Sequence, residues 1–271
     1  MDNSRRNFLK IAGLTAIAGI GAPTAFNSLL KGEVHASSGE EAAGHGGGHA
    51  AAAPAGKRYG FVIDTQKFAA DPNLAKKCIE ACHSIHNVPD FGNKKDEIKW
   101  IWTETFVHAF PDESQYKRND ALKTLPIMTF CNHCDNPPCV RACPTKATFR
   151  NPDGGAIMMD FHRCIGCRFC MAACPYGARS FNWRDPRPYV RKENPEYPTR
   201  MRGVVEKCTM CAERLAEGLM PACSEAAKEC GGIIFGDLND PASEVSMVLK
   251  EKFTIQRKPA LGTKPSIFYI I

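Results

Sequence analysis

The stretch Cys131-Asn-His-Cys134-Asp-Asn-Pro-Pro-Cys139-Val-Arg-Ala-Cys143-Pro144 is followed by Cys164-Ile-Gly-Cys167-Arg-Phe-Cys170-Met-Ala-Ala-Cys174-Pro175. The second run has the spacing C-x2-C-x2-C-x3-C-P, and the first is a looser version of it. Three closely spaced cysteines can wrap a loop around one iron–sulfur cluster. The x3 gap then starts a short helix that carries the fourth thiolate to the neighbouring cluster, and proline redirects the chain after it. Crossed ligation gives two [4Fe-4S] sites. One takes Cys131, Cys134, Cys139 and Cys174; the other takes Cys164, Cys167, Cys170 and Cys143. Zinc is the competing ligand chemistry, but it favours separated C-x2-C pairs. Structural disulfides are the other alternative.

The totals agree with metal ligation. Fourteen cysteines in 271 residues are too dilute for a small disulfide scaffold, and they cluster at short spacings. The net charge of +6 comes without a dense basic patch, so no nucleic-acid partner is expected.

Upstream, Ser4-Arg5-Arg6-Asn7-Phe8-Leu9-Lys10 precedes the apolar stretch Ile11 to Pro23. Val34-His35-Ala36 offers a small-residue cleavage site. Residues 1–36 resemble a twin-arginine signal. It is cleaved near Ala36 or, since Ile11 to Leu30 has about the length of a bilayer span, retained as an anchor. Export of a folded chain suits cluster insertion before an oxidising compartment can pair the thiols. Residues 37–57, rich in Gly, Ala and His, read as a flexible linker.

Two further cysteine regions flank the central runs. Cys78-Ile-Glu-Ala-Cys82 keeps a C-x3-C pair but lacks cysteines before it, with Phe68 to Leu74 in the corresponding loop. His83 and His86 follow as possible replacement ligands, with surface or supporting roles preferred. Cys208, Cys211 and Cys223 supply three ligands, and Cys82 stands where the fourth donor belongs. Ala227 occupies the place of the matching fourth cysteine, and Cys230 comes three residues late. Strands are expected at 58–64, 99–106, 125–130, 156–160 and from Ile233, with a helical turn or two over Glu213 to Leu219. Asp112 to Asp120 reads as a loop, and Asp185 to Arg202 as a surface segment or contact arm. The last apolar run is too short to span a membrane.

Strand, cluster loop, helix, strand is the bacterial ferredoxin module with its pseudo-repeat. With all four regions in hand, residues 59–269 resemble the exoplasmic iron–sulfur subunits of the polysulfide, tetrathionate and dimethyl sulfoxide reductase group. Cys-Asn-His-Cys-Asp-Asn-Pro-Pro-Cys and Phe235-Gly-Asp-Leu-Asn-Asp-Pro241 are specific phrases of it. The resemblance implies an α+β fold of two ferredoxin-like (4Fe-4S dicluster) modules, one inserted in the other. The outer module would span 58–110 and 200–245 and the inner one 111–199, with a C-terminal tail at 246–271.

The family pattern has four clusters. Here the first site retains only Cys78, so three [4Fe-4S] clusters are expected, the third held by Cys82, Cys208, Cys211 and Cys223. Cys78 and Cys230 could close a disulfide across the vacated space. Three clusters and an export signal resemble the O subunit of Dsr-type complexes of sulfur and sulfite metabolism. That likeness implies an NrfD-like quinone-interacting membrane subunit and a periplasmic multihaem cytochrome c as partners, with peripheral membrane association through the former. The iron–sulfur subunit of a polysulfide- or tetrathionate-type reductase is the alternative. The chain itself would carry electrons and have no catalytic residues of its own; a stand-alone sulfur-compound reductase finds no nucleophile or open metal position. Arg141, Arg163 and Arg168 could raise cluster potentials or be solvated, and His133 reads as a supporting or surface residue rather than a ligand.

Overall fold

The computed structural model describes residues 56–113 and 123–271. The export segment, nearly all of the linker and most of the loop expected at 112–120 lie outside the described residues.

β1 (Tyr59–Asp64) is buried along its four central residues. Its Phe-Val-Ile run is covered on both faces, as suits a central strand. Two helices follow, α1 (Thr65–Ala70) and α2 (Pro72–Ile85). Asp64 caps the first through Gln66 N–H, and Asp71 caps the second through Asn73 N–H at 2.9 Å, with Pro72 in the first turn. In α2, Leu74, Cys78 and Cys82 recur every four residues and form its buried face.

β2 (Ile101–Thr105) runs into the single helical turn α3 (Phe106–Ala109). β3 (Pro126–Phe130) pairs antiparallel with β2, Ile101 opposite Phe130, and delivers the chain into the first cysteine run. The x3 gaps form one-turn helices, α4 (Pro138–Arg141) and α5 (Phe169–Ala172). Between them lies the hairpin β4 (Thr148–Arg150) with β5 (Ile157–Met159). β6 (Ser180–Phe181) then pairs with β7 (Val205–Glu206). The β2–β3 and β6–β7 pairs each join a strand from the expected outer module to one from the expected inner module, so both junctions are stitched by main-chain hydrogen bonds.

The last third contains α6 (Ala212–Ala216), α7 (Ala222–Ala226), β8 (Ile233–Asp237), α8 (Glu244–Glu251), β9 (Thr254–Ile255) and β10 (Ile267–Ile270). The main sheet has the order β8-β1-β10-β9. β10 runs parallel to β1, with Phe61 opposite Ile267, and β8 antiparallel, with Phe61 opposite Phe235. The segment set apart as a tail therefore supplies an interior strand. Among the described residues, no helix is long and apolar enough to cross a membrane.

The core is aromatic. Phe61 meets Phe130 edge-on at 4.9 Å, and Phe110 meets Tyr269 at 5.2 Å. A buried ion pair ties the β6–β7 pair to the end of α2. Arg200 Nε donates to Glu206 Oε2 at 2.7 Å, and both side chains are fully enclosed. Trp100 Nε1 donates to the same carboxylate at 3.0 Å, and Asn182 donates to its other oxygen. Arg200 also donates to the carbonyls of His86 and Asn87. Replacing one member leaves a buried charge without its partner, at a cost of roughly 3–5 kcal/mol. Arg200→Ala is thus expected to lower the midpoint of denaturant unfolding strongly. Arg187→Ala, which breaks a solvent-exposed pair with Asp185, should leave that midpoint nearly unchanged.

Candidate metal centres

The first central group of cysteines is assembled from both runs. Cys131, Cys134, Cys139 and Cys174 line one small cavity, together with Tyr176 and Arg179. β3 supplies Cys131 at its end, α4 carries Cys139, and Cys174 follows α5. The loop between is pinned to the C-terminal segment. Asp135 N–H donates to Lys264 O at 2.9 Å, Asn136 N–H to Thr263 O at 3.0 Å, and Ser266 N–H to Asn132 O at 2.9 Å. Burial pushes the Cys134 thiol up to about 12, and the neighbouring Cys131 adds to it. Burial and Cys131 raise Cys174 as well.

The second group lies nearer the surface. Cys143 and Cys164 pack against a small core that contains Cys139 and Cys170. Burial raises Cys170, with Cys139 and Cys164 adding to it, while Arg179 opposes. Burial acts upward on Cys143 too. There, N–H groups of Thr148, Thr145 and Ala147 and the Thr145 hydroxyl outweigh it and hold the thiol below its ordinary value. Cys167 is half-buried in the same loop. Gly166 bends that loop at φ +70°, and a Cβ there would stand 2.4 Å from Gly203 O. Ile165 and Phe169 project outward, 68% and 60% exposed.

The third group joins α2 to the last cysteine region. Burial holds Cys82 well above the ordinary thiol value, and Cys211, Cys208 and Cys223 add to it in that order. Met210 N–H donates to Cys208 Sγ and Ala222 N–H to Cys211 Sγ, both at 3.4 Å. The two histidines after Cys82 diverge. His86 Nδ1 lies 2.7 Å from Cys82 O and Nε2 lies 2.7 Å from Glu213 Oε1, while its ring stacks on Trp100 at 4.8 Å. His86, Cys211 and Glu213 bring their ligand atoms within 4.8 Å of one another. This trio shares Cys211 with the third group and backs it as a hydrogen-bond network. Burial pushes His83 down to about 4, with His86 adding to it, so its imidazole is neutral.

Cys78 and Cys230 are both free thiols, one fully buried and the other exposed. Cys78 Sγ donates to Cys223 O at 3.5 Å, and Cys230 Sγ donates to Ala227 O at 3.3 Å. Burial pushes Cys78 up to about 12, and the nearby Cys230 adds to it. Apolar packing fills the space around them: a Cβ on Gly232 would meet Leu74 at 2.9 Å, Cys230 Sγ at 3.3 Å and Phe68 at 3.4 Å.

The pairwise couplings give the order of the groups. Arg179 is held charged by Cys139 and Cys170, then by Cys131 and Cys174, so it stands between the first and second groups. Cys131 raises Cys208, which sets the third group beside the first. Cys78 raises Cys223, which sets Cys78 beside the third group. Second, first, third is thus the order in which the groups adjoin, with Cys78 on the third group's side and the exposed Cys230 near it.

The donor sets fit iron–sulfur clusters. Each site presents cysteine sulfurs in a mostly apolar surround, the first enclosed. The buried polar atoms left without partners beside them include the acceptor Asn132 Oδ1, but several are donors. Ile157 N–H donates to His133 Nδ1 at 3.0 Å, which puts the proton of this neutral, fully buried imidazole on Nε2, where it has no partner. Asn132 Nδ2 and Arg179 Nη2 also lack partners. Unused donors around grouped thiols call for an acceptor-rich occupant, as thiolate and sulfide sulfurs are. Sequence reasoning missed Arg179, Lys207 and Glu213. Arg141, Arg163 and Arg168, which it singled out, are all exposed.

Comparison with known proteins agrees. The family described as a 4Fe-4S dicluster domain matches residues 123–238. The Hdr-like menaquinol oxidoreductase iron-sulfur subunit 1 of Archaeoglobus fulgidus is 38% identical over 79% of this chain and 83% of its own length. The menaquinone reductase iron-sulfur cluster-binding subunit of Nitratidesulfovibrio vulgaris is 35% identical over 79% of this chain and 88% of its own. A tetrathionate reductase subunit of Salmonella typhimurium is 31% identical over 79% and 72%. On this likeness, and on the grouped cysteines, the chain belongs to the family of iron–sulfur subunits of oxidoreductase complexes built on the 4Fe-4S dicluster domain.

Proposed function

We propose that this chain is the three-cluster electron relay of a membrane-associated quinone oxidoreductase of the Dsr type. The supporting observation is that three groups of cysteines adjoin one another, while Cys78 and Cys230 stand beside the third without further cysteines. The ligand sets are Cys131, Cys134, Cys139 and Cys174; Cys164, Cys167, Cys170 and Cys143; and Cys82, Cys208, Cys211 and Cys223. Each [4Fe-4S] cluster, when bound, takes up and returns one electron. The chain's own residues bury the sulfurs, bend the loops and aim N–H groups at them. Nested ferredoxin-like modules, inner 111–199 within outer 58–110 and 200–245, account for the crossed ligation.

The partners are an NrfD-like membrane subunit that exchanges electrons with quinone and a periplasmic multihaem cytochrome c. Support for a quinone partner comes from the relatives named for menaquinol and menaquinone chemistry. Ile165 and Phe169, exposed over the second group, suit an apolar docking face beside a redox centre. The Arg5-Arg6 signal supports export to the periplasm, with the chain held at the membrane through its partner. The bridge between Cys78 and Cys230 is not made in the structure, and this reading does not need it. A second reading, the iron–sulfur subunit of a tetrathionate-type reductase, draws on the Salmonella relative. It calls for a catalytic subunit at the vacated end, where no cluster ligands other than Cys78 remain.

Anaerobically purified chain is expected to hold about 12 iron atoms and as much acid-labile sulfide. About 16 would sink the three-cluster reading. Ligand removal gives a sharper result: Cys82→Ala should fall to about 8 iron atoms, whereas Cys78→Ala should keep about 12. Loss of iron from Cys78→Ala would mean that the first site still binds metal.

A further inference from the structure

Two buried cations flank the central group of cysteines. Lys207 is fully buried, and its Nζ donates to the carbonyls of Ile157 and Cys208, the latter at 2.6 Å. The nearest carboxylate in sequence, Glu206, is committed to Arg200, Trp100 and Asn182. Lys207 therefore has no carboxylate counter-ion there. Ile157 lines the cavity of Cys131, Cys134, Cys139 and Cys174, and Cys208 belongs to the third group. Lys207 thus stands between the third group and the first.

Arg179 is the counterpart on the other side. It is 5% exposed, donates to the Thr148 hydroxyl at 3.0 Å, and leaves Nη2 without a partner. It lines the cavity of Cys131, Cys139 and Cys174, and its Nη1 reaches Met159 Sδ, which packs with Cys170. His133, packed near both cations, is neutral and adds no charge of its own. Close by, Asp135 is offset by Arg150 and Arg58.

The outer groups differ. The third shares Lys207 but has the Glu213 carboxylate within 4.8 Å of Cys211 Sγ. The second shares Arg179 but lies at the surface, where water screens charge. Reduction of a cluster adds negative charge, and a desolvated cation nearby favours the reduced form. Among the described residues, only the group of Cys131, Cys134, Cys139 and Cys174 has a buried cation on both sides.

We infer that Lys207 and Arg179 make the central cluster the highest-potential one of the three, so that a single electron rests in the middle of the relay rather than at either end. This rests on the three-cluster reading above. Both are positioning residues, acting on the cluster's potential through the field they place across its ligands.

The test is a redox titration of the full chain, followed by electron paramagnetic resonance, in wild type, Lys207→Gln and Arg179→Gln, with iron and sulfide measured on each sample. The component reduced first in the wild type should shift to lower potential in both variants. Each variant should also lower one of the two remaining components, a different one in each case. Lys207→Arg and Arg179→Lys, which keep the charge, should stay near the wild-type midpoints. If the first-reduced component keeps its midpoint in either glutamine variant that retains its iron, the inference is overturned. If Lys207→Gln loses its iron, Arg179→Gln alone decides: its first-reduced component must fall. Wild-type iron inconsistent with three clusters would instead refute the underlying reading.

Discussion

Thiols buried side by side in groups are the constraint on which the rest of this structure depends. Burial raises Cys82, Cys134, Cys174, Cys208, Cys211 and Cys223, and in each case a neighbouring cysteine adds to the rise. Without metal, a thiol raised in the folded state favours folding fully only below its unfolded value near 8.5. That contribution is lost as the pH climbs toward the folded value, about 12 for Cys134. Bound metal inverts the dependence, because ligation displaces the protons and is itself stabilised as pH rises. The loops of both runs, the pinning of residues 132–136 to the C-terminal segment and the one-turn helices all serve to hold side by side thiols that cannot readily ionise together until metal is bound.

The inner eight cysteines were legible because spacing encodes their loop and helix directly. α4 and α5 appear where the x3 gaps stand. β1, β3 and β8 were legible from β-branched and aromatic runs. β10 was not: Ile267–Ile270 is short and terminal, and its place beside β1 depends on a parallel pairing across some two hundred residues of chain. The partnership of Cys82 with Cys208, Cys211 and Cys223 came from extending the crossed ligation of the central runs to the outer regions rather than from local spacing. Tertiary placement also decides the cations. Arg163 and Arg168 sit beside ligands in sequence yet face solvent, whereas Lys207, which looks like an ordinary surface lysine before a cysteine, is fully enclosed. His133 is likewise buried, held by Ile157 N–H rather than at the surface.

Around Cys78 the described residues form an apolar core. Cys78 stays on the buried face of α2, in register with Leu74 and Cys82. Phe68, Leu74 and Ala227 belong to the same apolar core, so hydrocarbon occupies ground where charged sulfur would otherwise need compensation. Burying apolar groups there requires no counter-charge and no hydrogen-bond donors. The remaining groups keep both: Glu213 with His86 behind the third, and main-chain N–H groups around Cys143 in the second.

The two ends of the line are therefore unlike. At the second group, several cysteines are only half-buried and apolar side chains stand exposed over them. At the third, all four thiols are buried, and the next step inward is packed core. A partner that approaches the second group meets ligand loops close to the surface. Beyond the third group α2 packs against α7, and Cys230 after α7 is exposed. On the proposed reading, a partner exchanges electrons at the half-buried second group, and the buried cations Lys207 and Arg179 bias where an electron rests.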